Sequence, residues 1–170
     1  MKPVVGAAIL ATIWPLPPAV AGSVAETMAG AGLLGSWAVD CAARPAPANP
    51  HLEFAAGKEG DVIRHLTFGP GTSELTAAVR SVERQGNDTV HLREVYTAGV
   101  GSAEIGSSYE EWGILAPDHR HYRSVGSIGA GGHEYLKNGI VVASGKESVW
   151  MTKCKEREAA IWPRPIQSNN

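Results

Sequence analysis

Gly35-Ser36-Trp37-Ala38-Val39-Asp40-Cys41 places a tryptophan just ahead of one of only two cysteines in a chain of 170 residues. The run Leu33 to Asp40 reads as a strand. The segment after it, Ala42 to Pro50, carries three prolines and an asparagine and reads as a loop that no strand runs through. The second cysteine, Cys154, lies 113 residues downstream near the end of the last strand-like run, Ser148 to Lys155. If the strands in between form a meander that closes on itself, its first and last strands are neighbours, and a Cys41–Cys154 disulfide staples the seam. Alternation puts Trp37, Val39 and Cys41 on one face of the first strand and Trp150, Thr152 and Cys154 on one face of the last. Trp37 then meets Trp150, provided that both cysteines lie inside paired strands.

The segments between the cysteines are short, interleaved with polar residues and separated by turn chemistry. His51 to Ala56 and Asp61 to Phe68 form a hairpin pattern about Gly57-Lys58-Glu59-Gly60, closed off by Gly69-Pro70-Gly71. Leu75 to Glu83 fits two periods: Leu75, Val79 and Val82 fall at helical spacing, while Val79 to Arg84 is equally compatible with a strand. The strand is the better reading, because Gln85-Gly86-Asn87-Asp88 is a turn and Thr89 to Thr97 is rich in β-branched residues, so one hairpin explains both segments. Ser107 to Leu115, Asp118 to Val125 and a hairpin at Asn138-Gly139, a type I′ turn signal, continue the series. The expected fold is therefore all-β, a single closed antiparallel β-barrel of about eight strands. It occupies residues 33–156, after a small-residue lead-in at 22–32 and before an irregular tail at 157–170 that contains Trp162-Pro163-Arg164-Pro165.

Residues 1–21 read as a signal peptide: Lys2, an apolar run from Val4 to Trp14, prolines at 15, 17 and 18, and a small-x-small site at Ala19-Val20-Ala21. The prolines cut the apolar run short of the roughly 20 residues that a membrane-spanning helix needs. No cysteine directly follows the cleavage site, so nothing supports a lipid anchor. With Lys2 removed from the 15 Lys and Arg, the 17 Asp and Glu are in excess. No basic surplus recommends nucleic acid or an anionic membrane as a partner. Export implies an oxidising compartment, the periplasm or outside the cell, where an even cysteine pair most simply forms a disulfide. Closing so long a loop stabilises a fold by roughly 4 to 5 kcal/mol in the chain-entropy model. Neither cysteine sits in a C-x-x-C or nucleophile motif. Asn87-Asp88-Thr89 is a glycosylation sequon, which matters only in a eukaryotic secretory path.

Gly35-Ser36-Trp37 on the first strand of an all-β domain of this length resembles the G-x-W element of lipocalins and, more loosely, of other calycin barrels. The resemblance implies that Trp37 plugs the closed end of the barrel, packed against a basic side chain from near the C-terminal end. Lys153, Lys155 and Arg157 are the candidates. It also implies a cavity for a small apolar or amphipathic molecule.

Tyr96, Trp112, Ile114 and Tyr122 lie on middle strands and, placed on one side, would line an aromatic pocket with a polar rim of Arg93 or Arg123. Their ordinary role is barrel core. Several strands carry polar residues on both faces, Arg64 in line with Leu66 and Glu94 with Tyr96, which a water-accessible interior would explain. His119 and His121 would share a strand face and supply two ligands to zinc or copper, but no spacing specifies a third and fourth, and Arg120 and Arg123 add positive charge. No metal site or cofactor is assigned. Glu110 and Glu111 beside Trp112 point to opposite faces of a strand and so do not flank one substrate bond as a glycosidase pair must. Gly145-Lys146-Glu147-Ser148 lacks the glycine and the hydroxyl residue of a phosphate loop, and no G-x-S-x-G elbow is present. A binding protein without catalysis is the expectation. The alternatives are a protein-interaction or inhibitor barrel with a filled core, working through loops such as Gly99 to Gly106 or Gly126 to Gly132, and a metal-binding protein using the two histidines.

Overall fold

A computed structural model describes residues 22–70, 74–99 and 105–155. The expected signal peptide and the tail at 157–170 lie outside the described residues, as do residues 100–104 of the Gly99 to Gly106 loop. The strands in chain order are β1 (Gly35–Ala38), β2 (His51–Ala56), β3 (Val62–Thr67), β4 (Glu74–Gln85) and β5 (Thr89–Gly99), then β6 (Ser108–Leu115), β7 (His121–Ile128), β8 (Glu134–Lys137), β9 (Ile140–Val141) and β10 (Met151–Lys153). Each pairs antiparallel with the next from β1 to β9, and β10 pairs with both β1 and β7. β1 to β7 with β10 thus close an eight-stranded antiparallel barrel.

β7 serves two partners along its length. Its first residues face β10, with Met151 opposite Tyr122 and Thr152 opposite His121, and its last face β8, with Ser127 opposite Leu136. The β8–β9 hairpin therefore leaves the ring at one end. Its turn is the expected one: Asn138 and Gly139 hold φ of 50° and 77°, the left-handed pair that a type I′ turn requires. The ambiguous segment Leu75 to Glu83 lies within β4 and is strand.

The lead-in at 22–32 is part of the fold and not a prelude to it. Val24–Gly30 forms a helix, α1, with a capping box in which the Ser23 hydroxyl accepts from the Glu26 N–H at 3.2 Å and Glu26 Oε2 accepts from the Ser23 N–H at 2.8 Å. Small residues suit α1 because it lies close on the end of the barrel, where Met28, Ala31 and Leu33 are fully buried with Trp37, Leu52 and Phe54. Trp37 donates its indole N–H to the Leu33 carbonyl at 2.9 Å and packs on Tyr122 with ring centroids 5.8 Å apart. Lys153, paired with Trp37 across the seam, sets its ammonium 5.3 Å from the indole centroid and donates to the Gly32 carbonyl at 2.6 Å. This end of the barrel is closed.

Cys41 and Cys154 form the expected disulfide, with Cα atoms 5.5 Å apart. The pairing of Trp37 with Trp150 does not follow, because both cysteines lie beyond the ends of the short strands β1 and β10, where alternation fixes nothing. Trp150 is 44% exposed, and Met151 is the residue that enters the core. Among the described residues no helix is long and apolar enough to cross a membrane.

The seam is short, so the disulfide carries much of its stability. A Cys41→Ser/Cys154→Ser double variant should unfold at lower denaturant, with a loss of about 2 to 5 kcal/mol. An unchanged midpoint in urea would show that strand pairing alone holds the closure.

Candidate functional site

Inward positions follow from register. On β3 they are Val62, Arg64 and Leu66; on β5, Val90, Leu92, Glu94 and Tyr96; on β6, Tyr109, Glu111, Gly113 and Leu115. The first residues of these rows in space, Val62, Val90, Leu92 and Leu115, join the closed-end core. Across the middle of the barrel lies a charged layer. Arg64 Nη1 donates to Glu94 Oε2 at 3.1 Å, and Nη2 donates to Glu111 Oε2 at 2.7 Å. All three side chains are at most 5% exposed. Glu111 Oε1 accepts from the Tyr122 phenol and from Ser124 Oγ.

Above this layer the barrel opens into a cavity of about 730 Å³. Arg64 and Glu111 form part of its floor with Ser124 and Ser127, and Leu66, Phe68, Leu75 and Met151 give apolar walls. Tyr96, Tyr109 and Tyr135 line one side as a chain of rings, with centroid separations of 5.4 and 6.2 Å. The Pro47 to Pro50 loop and the β8–β9 hairpin, through Leu136 and Val141, rim the mouth. The loop and hairpin that turn signals marked in the sequence are thus what shapes the opening. The core is filled only at the closed end, unlike the filled-core alternative.

Of the four residues expected to share a pocket, Tyr96 lines the cavity. Tyr122 points inward but below the charged layer, fully buried against Trp37 and Phe54. Trp112 and Ile114 are corrected to the outer face. They sit opposite His91 and Thr89, and Trp112 stacks on the His91 ring at 4.4 Å. β6 buries the row of Tyr109, Glu111, Gly113 and Leu115 for two reasons: Arg64 compensates Glu111, and Gly113 leaves room for the Tyr122 ring, with which a methyl group there would collide. Arg93 is likewise outside, paired with Glu83 at 3.2 Å, while Arg123 bonds Ser148 Oγ at 2.9 Å and the Gly139 carbonyl at 3.1 Å.

The polar residues noted beside Leu66 and Tyr96 are buried and ion-paired, Arg64 on the floor of the open cavity and Glu94 behind it. Charges of opposite sign on the apolar faces of two strands, Arg64 and Glu94, were the signal for this layer. Glu110 and Glu111 do lie on opposite faces: Glu111 is buried, and Glu110 Oε2 lies within hydrogen-bond distance of His91 Nε2, at 2.7 Å, on the outer face. His119 and His121 do not share a strand face. His119 is in a left-handed turn (φ 54°) before β7, against α1, and His121 Nδ1 lies 3.0 Å from Asp118. Among the described residues no three His, Cys, Asp or Glu side chains gather to hold a metal ion.

Burial sets the ionisation of the floor. Desolvation works against the Arg64 charge, but Glu111 and Glu94 outweigh it and hold its pKa well above the usual value. Desolvation raises the Glu94 carboxyl from 4.5 to about 7, against the pull of Arg64 and with help from the Glu111 charge. Burial pushes the Tyr96 phenol up to about 12. Comparison of the chain with protein-family models, with curated proteins and with solved structures finds no match.

Glu94 links stability to pH. Unfolded, it releases its proton near 4.5; folded, near 7. The native state binds more protons in between, so this contribution is complete below the lower value and is lost as pH rises through the upper one. The melting temperature should fall from about pH 5 to about pH 8, and Glu94→Gln should flatten that slope. A wild-type slope that survives in the variant assigns it to another group. Gly113→Ala, by displacing Tyr122 from Glu111, should destabilise by roughly 1 to 3 kcal/mol in chemical denaturation; an unaltered stability would mean that the ring yields freely.

Proposed function

We propose that this protein is an exported, lipocalin-like barrel that binds a small amphipathic molecule and is not a catalyst. The observation that carries the reading is the cavity: about 730 Å³, open at one end, apolar in its walls and polar at its floor. That is the size and character of a small-molecule site. Kinship with lipocalins draws support from the G-x-W tryptophan at the closed end with Lys153 over its ring. Export draws support from the Cys41–Cys154 disulfide and the signal-like pattern of residues 1–21. A binding role in place of catalysis draws support from Glu111, whose two oxygens both accept hydrogen bonds from neighbouring side chains, Arg64 among them.

The test uses N-phenylnaphthylamine, an uncharged dye that brightens in apolar cavities, titrated into the oxidised protein. Saturable binding is expected. Leu66→Trp, which fills the cavity from a half-buried wall position, should weaken it by about tenfold or more while the melting temperature stays within a few degrees. Absence of binding to a folded, disulfide-intact sample would rule out an accessible cavity.

A further inference from the structure

The polar end of the occupant is constrained by which atoms of the floor are already spoken for. Arg64 is 4% exposed and belongs to the cavity wall; Glu94 and Glu111 take its two terminal nitrogens, and its Nε–H is without a partner. Glu111 belongs to the wall too, but Arg64, Tyr122 and Ser124 occupy both its oxygens. Glu94, whose Oε1 is unpartnered, is not part of the wall. What the floor leaves to an occupant is therefore mainly uncharged hydroxyl groups, those of Tyr96, which burial keeps protonated, Ser124 and Ser127, because the unpartnered Arg64 Nε–H is itself closed off from the cavity. In charge, the cluster is one unit negative with Glu94 ionised and neutral with Glu94 protonated. At the mouth, Glu147 is paired with Arg123 at 3.3 Å and Lys146 is the neighbouring cation.

An entering carboxylate would meet a guanidinium already neutralised by two carboxylates, with an excess negative charge behind it. An entering ammonium would meet the guanidinium itself, and on the floor only Glu111 Oε2, which already accepts from Arg64, keeps a carboxylate lone pair. Either ion surrenders hydration that the floor does not replace. An uncharged oxygen surrenders far less and accepts what the floor has to give. Resting on the reading of the cavity as a binding site, we infer that it selects apolar molecules whose polar end is an uncharged oxygen acceptor, such as an alcohol, ketone, ester or amide, over fatty-acid carboxylates and alkylammonium ions.

Decanol, decanoate and decylammonium share one alkyl chain and differ only at the head. Each is titrated against the oxidised wild-type protein loaded with N-phenylnaphthylamine at about pH 8, where Glu94 is ionised. Decanol should displace the dye with a Kd about tenfold or more below that of either ion. Glu94→Gln removes the excess negative charge and should narrow the gap to decanoate while decanol changes by less than about twofold. Either ion binding within about threefold of decanol overturns the selectivity and leaves the binding cavity standing. A gap to decanoate that persists unchanged in Glu94→Gln overturns its electrostatic basis. Failure of all three where the dye binds also overturns the selectivity, whereas failure of the dye as well overturns the cavity reading itself.

Discussion

Closure of the ring at β10 is the constraint on which everything else in this barrel depends. Three residues, Met151–Lys153, bridge β1 and β7, each through two paired positions. So short a ladder has little stability of its own. The chain concentrates other interactions there. Met151 enters the core, Lys153 covers Trp37 and ties down the end of the α1 segment at Gly32, and the Cys154 N–H donates to the Ser36 carbonyl at 2.8 Å just before the disulfide to Cys41. The cross-link thus lies immediately beyond the last paired residues, where fraying would begin.

Closure in turn creates the inside in which Arg64, Glu94 and Glu111 meet. They come from β3, β5 and β6, and no two are neighbours in sequence. A buried ion cluster of this kind rarely stabilises a fold relative to well-packed apolar residues, although removing Arg64, which leaves two carboxylates uncompensated, is severe, costing about 3 to 5 kcal/mol. Its position is informative. It divides a packed, Trp37-plugged end from an open, tyrosine-lined end, and through Arg64 and Glu111 it gives an otherwise apolar cavity its polar floor. Residues chosen for packing alone would have continued the core upward.

The open end is shaped by parts that contribute little to the ring itself. β7 parts from β10 after two residues and turns to β8, and Arg123 holds the hairpin turn through the Gly139 carbonyl and Ser148. The hairpin and the following segment also carry exposed apolar side chains, Ile140, Val142, Val149 and Trp150. They surround the mouth that Leu136 and Val141 line from within.

Sequence alone determined what is local or periodic. Alternation and turn chemistry located the strands, Asn138-Gly139 its hairpin, and two cysteines at the ends of a meander their own pairing, since closing a ring brings first and last strands together. The helix α1 was hidden because it is only seven residues long, mostly small ones, and its one fully buried side chain, Met28, forms no visible stripe. What tertiary structure decided was which face of each strand looks inward. On β6 each row carries one glutamate, one aromatic and one large aliphatic residue, so hydrophobicity does not choose between them, and the row with Glu111 and Gly113 is the one inside. Arg64, far off in sequence, neutralises the one, and the ring of Tyr122 needs the space left by the other. Such compensation exists only between strands, so no single strand's pattern records it.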